Sequence, residues 1–421
     1  MTRTPRSRTL AAASIAVVAA LAVAGCTVAK ASTPSASGSS SGSDPSSASA
    51  SGSPSAPGVA LDVPASQPFD APATFTATGG ELTAVSVVRQ GKSGTLKGQV
   101  DAAGTAWSSA GLPAEGATYA VHATVSDAVG GSHELSATFT VRTRTTGSTV
   151  KFDITPGSGW TVGVYAPLVI RFHSKVTDKA SVERALVVES SKPVVGAWSW
   201  ISSSEVHFRP KTSWPTHTKI RLVADLHNVP FGPNQWGAQD KTVNVTTGDQ
   251  HVARVDGSKH TFTVYVNGKV WAKWPTSLGR PEFVTRSGSY IVLEKKPMIE
   301  MTSCSVHIAC DPKDPNWYDL KVMQDVRLTW SGTFVHAAPW SVSHQGFANV
   351  SHGCINLSTS RATSFYNLVT YGDMVTVVHT NRGPQDLIDK GDPGMTDWNT
   401  PFTTWVAHSA LKAAITTQPL S

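Results

Sequence analysis

The stretch FVHAAPWSVSHQGFANVSHGCINLS, Phe334 to Ser358, decides how this chain is read. Its histidines His336, His344 and His352 are evenly spaced, and Cys354 follows two residues after the last. Three chemistries fit such a run: a metal site, a nucleophile with its base, or a polar loop rich in imidazole. No Asp or Glu occurs in the segment, so the general base that metal-assisted hydrolysis needs is missing from it. Cys354 instead sits in Ser351-His352-Gly353-Cys354, a polar, glycine-containing turn expected just before a helix, where free backbone N–H groups face an anion. A thiol of ordinary pKa, about 8.5, is only partly ionised near neutrality, and an imidazole that takes its proton completes a nucleophile and base. His336, on the strand-like run Thr333–His336, is the base that a folded-back loop brings to Cys354. His352 shares the nucleophile's turn and is placed to brace it. His344, among small and polar residues, receives no role.

The N-terminus says where such a thiol works. Arg3, Arg6 and Arg8 precede an apolar run, Leu10 to Ala24, which leads into Val23-Ala24-Gly25-Cys26. A positive start, an apolar centre and small residues before a cleavage point make residues 1–25 a secretory signal, and the Cys directly after them resembles a bacterial lipobox. That resemblance makes Cys26 a lipidated first residue; the alternative is an ordinary secreted chain with an unmodified cysteine. The apolar run is too short for a comfortable membrane span. Residues 26–58 continue as a Ser, Gly, Ala and Pro tether, which cannot bury enough apolar surface to order itself. The expected location is extracytoplasmic, lipid-anchored at the outer face of the membrane, with the tether giving reach into a cell wall. The formal charge of +6 includes the leader arginines, and no Lys/Arg cluster is interleaved with aromatics, so nucleic acid is not an expected partner.

Three folded pieces and a tail follow, mainly β. In residues 59–145, Tyr119, Val121, Ala123 and Val125 share one face of a strand, Asp127 with Gly130-Gly131 supplies a turn, and Phe139 with Val141 marks another strand. This reads as an immunoglobulin-like β-sandwich. Residues 146–250 repeat the character: Leu168–Phe172 is strand-like, Trp198 and Trp200 share a strand face, and so do Val206 and Phe208. The tryptophan pair fits core packing between sheets or the lining of a ligand groove. Residues 251–380 open with Thr261–Val266 and Lys269–Trp274 about Asn267-Gly268, a strong hairpin signal. They continue through Ser289–Leu293 and the loop-rich stretch Met301–Asp319. After the motif, Ala362, Phe365, Tyr366 and Val369 recur at helix spacing, and Met374–Val378 ends the piece as a strand. In residues 381–421, Thr400 is a cap and Pro401 the first position of a helix, with Trp398, Phe402 and Trp405 near one face; this tail, its two tryptophans included, is expected to pack back on the third piece.

The chain has four cysteines. Cys26 belongs to the leader boundary, and Cys354 is without an obvious partner, a flag for reactivity in an exported protein. Cys304 and Cys310 are near neighbours inside the loop-rich stretch. In an oxidising compartment a local disulfide is the expectation. Cys304-x-x-His307-x-x-Cys310 also offers zinc ligands, although a compact site needs a fourth that is not obvious here.

His336, a loop of this length, and Ser351-His352-Gly353-Cys354-Ile355-Asn356 resemble, in every motif position, the L,D-transpeptidases with a YkuD-type catalytic domain, which cross-link peptidoglycan. Histidine before cysteine sets the pattern apart from papain-like and NlpC-type hydrolases, and the short spacing sets it apart from sortases. Lipobox, tether, two immunoglobulin-like domains, catalytic domain and aromatic tail resemble the long actinobacterial, mycobacterial-type members over nearly the whole chain. Gly332, Phe334, Pro339-Trp340 and Tyr318 also fit them. There are departures. Ala337 stands where the subgroup often has serine, but the role there belongs to a main-chain carbonyl. Thr285-Arg286-Ser287-Gly288 replaces a common Thr-Pro-x-Gly, and the lid segment Met301–Tyr318 carries the Cys304/Cys310 pair.

The resemblance implies neither cofactor nor metal. It implies a tetrapeptide stem donor with meso-diaminopimelate at position three, and a Cys354 thioester formed with release of D-Ala. Backbone N–H groups around His352, Gly353 and Cys354 hold the oxyanion, and the diaminopimelate amine of a second stem attacks to give a 3→3 cross-link. Tyr318, Trp340, Asn356, Met301, Ser351 and Gly332 are the candidate substrate-binding residues, and β-lactams of the carbapenem class are the expected covalent inhibitors. Protein-to-peptidoglycan attachment, L,D-carboxypeptidase action and D-amino-acid exchange use the same residues. A non-catalytic wall-binding module is the alternative of another class.

Overall fold

A computed structural model describes residues 58–92 and 94–420. The signal segment, Cys26 and all of the tether but its last residue lie outside the described residues.

The alternation at Tyr119, Val121, Ala123 and Val125 is the inward face of a long strand, Thr118–Asp127, and none of the four is more than 5% exposed. That strand lies in one sheet with Ser66–Gln67, Ser132–Val141 and Gly80–Arg89; the facing sheet holds Ala60–Asp62, Thr74–Thr78, Ala106–Ser109 and Gly98–Val100. Tyr119 sits directly across from Phe139, with the two rings stacked 5.2 Å apart. Such cross-strand aromatic pairs are a unit of sheet stability.

The second sandwich is built the same way, and in it Trp198 and Trp200 are both buried. Trp200 donates from Nε1 to Glu183 Oε1 at 2.7 Å. The pair is core, not groove. The tail completes this sandwich by extending both of its sheets: Ile415–Thr416 pairs with the strand Val195–Trp200, and Gln418–Pro419 with Leu186–Ser190. Covering open edges in this way removes unpaired backbone groups from solvent.

The tail therefore differs from the expectation that its tryptophans pack on the third piece. Trp398 donates from Nε1 to Tyr165 O at 2.9 Å, and Trp405, fully buried, donates to Ala197 O at 2.9 Å. Arg209 of the second sandwich lies over the rings of Trp398, Phe402 and Trp405. Cation–π contact and two open sheet edges draw the aromatic tail to that side. Thr400 ends one helix, Pro393–Asn399, and Pro401 is the cap of the next, Phe402–Ala407. The rest of the tail does pack on the third piece: Leu387 and Met395 join its core, Asp386 pairs with Arg286, Asp392 accepts from Ser331 N–H, and the Asn399 side chain accepts from Ser289 N–H and donates to Ser289 O.

The third piece comprises β1 (His251–Asp256), β2 (Thr261–Val266), β3 (Lys269–Pro275), β4 (Gly288–Ile291), β5 (Glu294–Thr302), β6 (Asp319–Arg327), β7 (Phe334–Ala337), β8 (Ile355–Leu357), α1 (Thr359–Leu368) and β9 (Met374–Val378). Asn267 and Gly268 join β2 to β3 with φ of +48° and +77°, the conformation a tight hairpin demands. One sheet runs β3-β2-β1-β9-β4 and the other β5-β6-β7-β8. Between them lies an apolar core that includes Val255, Phe262, Tyr290, Val326, Val335, Ile355, Phe365 and Val375.

The pair β7 and β8 is parallel, with His336 opposite Asn356. Parallel neighbours need a crossover connection, and residues 338–354 are that crossover. Cys354 ends it, so the cysteine, well apart from the histidine in sequence, arrives directly before the strand that adjoins the histidine's own. The helix expected directly after Cys354 begins only at Thr359, with β8 in between.

Candidate active site

The turn carrying Cys354 is tied down by its own side chains. Ser351 Oγ donates to Cys354 O at 2.6 Å and accepts from Gly353 N–H at 3.1 Å. Ser351 N–H donates to Leu278 O, and Ser351 O accepts from Arg280 N–H, both at 2.9 Å. Thr285 Oγ1 donates to Gly353 O and accepts from Gly279 N–H, again both at 2.9 Å. Gly353 has φ +119°, a conformation in which a side chain is strained.

Two expectations change here. Because β8 separates the thiol from α1, no helix N-terminus acts on Cys354. Ser351 occupies the Gly353 N–H, so His352 and Cys354 supply the backbone donors of the turn that have no partner.

Burial pushes the Cys354 thiol up to about 12, with Phe334 N–H opposing the rise and Asp325 adding to it. Burial pulls the His336 imidazole down to about 4. At rest both groups are neutral. The thiol donates toward Gly332 O at 3.6 Å, and no hydrogen bond joins it to the imidazole. His336 is 4% exposed, and its Nδ1 lies 3.0 Å from Ala337 O. A carbonyl only accepts, so Nδ1 carries the hydrogen and Nε2 keeps its lone pair. The orienting group is the main chain of residue 337, for which alanine suffices.

A groove of about 670 Å³ runs over His352, Gly353 and Cys354, with Met301, Tyr318, Gly332, Trp330 and Phe334 among its walls. The rings of Tyr318 and Phe283 each lie 4.9 Å from that of His352. Burial, with the nearby Cys354, pushes the Tyr318 hydroxyl up to about 12. Cys304 and Cys310 are disulfide-bonded, with S–S 2.04 Å, which uses up the sulfurs that a zinc site would have needed. Among the described residues no group of three or more His, Cys, Asp or Glu is placed to hold a metal. The bridged loop leans on the site: Val306 Cγ1 would lie 2.6 Å from a Cβ at Gly332, so only glycine lets it close.

Met301, Tyr318 and Gly332 thus line the groove beside the nucleophile, whereas Trp340, Asn356 and Ser351 do not. Trp340 is 53% exposed, its ring 6.1 Å from that of His336. Asn356 is buried and donates from Nδ2 to Ser341 Oγ at 3.2 Å. Ser351 works within the turn. His344 is exposed. Sequence reasoning missed a cationic wall assembled from separate segments, Arg286, Arg327, Arg382 and Lys390, in which Asp386 pairs with Arg286 and Arg382, and Glu294 with Arg327. Its visible signal was Arg286, standing in the Thr285–Gly288 departure.

A β domain that sets a buried histidine on one strand and a free cysteine directly before its parallel neighbour has the parts of a cysteine acyltransferase. The L,D-transpeptidase catalytic domain of the YkuD family matches residues 250–377, and the bacterial Ig domain matches residues 65–230. The chain belongs to the L,D-transpeptidase family and is an enzyme of that class. It is 34% identical over 341 residues to L,D-transpeptidase 2 of Mycobacterium tuberculosis (strain CDC 1551 / Oshkosh), covering 81% of each chain. It is 38% identical over 225 residues to L,D-transpeptidase 1 of Mycobacterium tuberculosis (strain ATCC 25618 / H37Rv), covering 53% of this chain and 83% of that one. An L,D-transpeptidase solved in complex with imipenem is 37% identical with a TM-score of 0.47, covering 54% of this chain and 97% of that one.

Proposed function

We propose that the enzyme forms 3→3 cross-links between meso-diaminopimelate residues of peptidoglycan stems through a Cys354 thioester. One observation carries the reading: Cys354, the free thiol of the described residues, directly precedes the strand that pairs in parallel with that of His336, a buried, neutral imidazole whose Nε2 is kept unprotonated by the Ala337 carbonyl. The thiol swings from Gly332 O to His336 Nε2, which takes the proton as sulfur attacks the carbonyl between diaminopimelate and D-Ala. Because both partners rest neutral, proton transfer accompanies attack rather than preceding it. The N–H groups of His352 and Cys354 receive the oxyanion. The imidazolium returns its proton to the D-Ala nitrogen, the C–N bond breaks, and the thioester remains. The neutral side-chain amine of a second diaminopimelate then attacks the thioester. His336 takes one amine proton and gives it to the departing sulfur.

In the cationic wall Lys390, the member not paired with Asp386 or Glu294, complements a carboxylate of a stem peptide. Carbapenems enter the same site: Sγ opens the β-lactam ring and is left acylated, in line with the relative solved with imipenem. The enzyme is placed outside the cytoplasmic membrane, anchored by lipid on Cys26, a reading supported by the leader sequence. No helix among the described residues is long and apolar enough to cross a membrane. Incubation with a disaccharide-tetrapeptide and mass spectrometry of the products tests the cross-linking. The expected product is a cross-linked dimer with loss of D-Ala, absent with Cys354→Ala. Dimer formed by the Cys354→Ala protein overturns the assignment.

A further inference from the structure

A buried carboxyl beside this site has no part in the chemistry above. Met323 pairs with Ala337 and Val326 with Val335, so between them two residues of β6, Gln324 and Asp325, face the single residue His336. Gln324 adopts φ +58°. A bulge of this kind re-aims side chains, and here it breaks the alternation: Val322 is buried, Met323 exposed, and then Asp325 and Val326 are buried in succession. Asp325 is 1% exposed, and neither of its oxygens makes a well-formed hydrogen bond; the Ile299 N–H, too poorly aligned to count as one, is the backbone donor that acts on it. An ionised carboxylate in such a place is far more costly than the neutral acid.

The surroundings offer it no cation of its own: Arg327 acts on it from a distance while paired with Glu294. On β5, Lys296 is its cross-strand neighbour but is exposed and lies 3.7 Å from Glu294. Glu294 also takes Arg327 of β6 at 2.7 Å. Lys295 donates to the Tyr366 carbonyl at 2.7 Å. The helix α1, packed against β6, brings only Arg361 and Tyr366 as titratable side chains. The remaining groups are His336 on β7 and Cys354 before β8. Burial raises Asp325 to about 7, with Ile299 N–H and Arg327 opposing, and its charge in turn raises the Cys354 thiol.

We propose that Asp325 is a positioning residue for the nucleophile: held as an uncharged acid in the bulge opposite His336, it leaves Cys354 free to become an anion, and once ionised it opposes that anion. The proposal rests on Cys354 being the nucleophile, but its test needs no stem peptide. The full-length protein is treated with iodoacetamide from pH 5 to 9.5, and alkylation is followed by mass spectrometry of the peptide that carries Cys354. The wild-type rate should rise with pH, flatten near neutrality and then resume its rise. In Asp325→Asn the flattening should vanish, with alkylation at pH 8.5 faster by at least about threefold, the effect of a half-unit pKa change. Below pH 5.5 the two should coincide.

A second readout is the unfolding midpoint against pH. An acid whose folded pKa is raised contributes stability that is present below its unfolded value, about 3.9, and lost as pH rises through about 7. Wild type should therefore lose midpoint relative to Asp325→Asn between pH 4 and 8. Superimposable alkylation profiles overturn the proposal. So does failure of Asp325→Asn to fold, because a neutral isostere must be tolerated where a neutral acid sits. Absence of Cys354 alkylation at every pH counts instead against the nucleophile assignment, so the two failures are distinguishable.

Discussion

Replacing Thr285 by valine removes one hydroxyl and leaves the shape almost unchanged. That hydroxyl accepts from Gly279 N–H, which is buried, and donates to Gly353 O at the edge of the groove. Stranding a buried N–H costs about 1–3 kcal/mol, and losing the second, partly solvated bond costs about 0.5–1.5 kcal/mol more. The sum, about 3 kcal/mol, corresponds to a fall of about 6–12 °C in the unfolding midpoint for a domain of this size. The change also frees the carbonyl next to the nucleophile, so acylation by imipenem should slow about tenfold, the equivalent of about 1.4 kcal/mol of lost orientation. Thr285→Ser, which keeps both hydrogen bonds, should recover most of each effect. The measurements are calorimetric unfolding and intact-mass acylation kinetics for wild type, Thr285→Val and Thr285→Ser. Equal midpoints and rates for wild type and Thr285→Val would refute the view that this hydroxyl holds the turn.

Two further predictions concern the tail and the lid. His207, fully buried, meets Asp397 of the tail at 2.8 Å through Nδ1 and Glu205 at 2.7 Å through Nε2; burial works against its charge, but Asp397 and Glu205 prevail and hold it up to about 9. Its folded pKa lies above the unfolded value, so about 3 kcal/mol of stability is present below about pH 6.5 and lost as pH rises through about 9; the wild-type midpoint should fall over that window, and His207→Gln should be flatter there in a pH series of thermal scans. Replacing Cys304 and Cys310 together by serine releases a loop restraint worth about 2 kcal/mol on residues 305–308, which line the groove. The expected result is a several-fold rise in KM for the tetrapeptide donor with kcat within about twofold, read from D-Ala release; an unchanged KM would show that the bridge does not shape the groove.

Legibility in the sequence followed the range of the interaction. Tyr119 to Val125 showed their face through alternation, and Asn267-Gly268 showed its turn because only a few residue types accept positive φ at both positions. The Cys354 turn was readable for the same reason, since Ser351, Gly353 and Cys354 satisfy one another within four consecutive residues. The sites of Trp398 and Trp405 were not readable. Both are apolar enough to demand burial, but their partners, Tyr165 and Ala197, lie in a strand edge and loop far upstream. The cationic wall escaped notice because its members never adjoin in sequence.

Asp325 is the sharpest case, because local reasoning there points the wrong way. Met323-Gln324-Asp325-Val326 in an alternating strand sends Asp325 outward with Met323 if Val322 and Val326 are both inward, and the strand pattern offers no reason to doubt it. The two valines do lie inward, yet Asp325 joins them, because Gln324 takes up an extra residue against β7. Register is set by pairing, which no short window contains. The consequence is chemical as well as geometric. The slip occurs opposite His336, so the same backbone irregularity that flanks the base also buries a carboxyl whose charge reaches the thiol. If the bulge rather than the acid were what mattered, a neutral side chain at 325 would leave the pH dependence of Cys354 untouched. A change confined to pH above neutrality would place the effect in the charge, and the nucleophile's electrostatics would then be a property of strand register as much as of the motif that carries it.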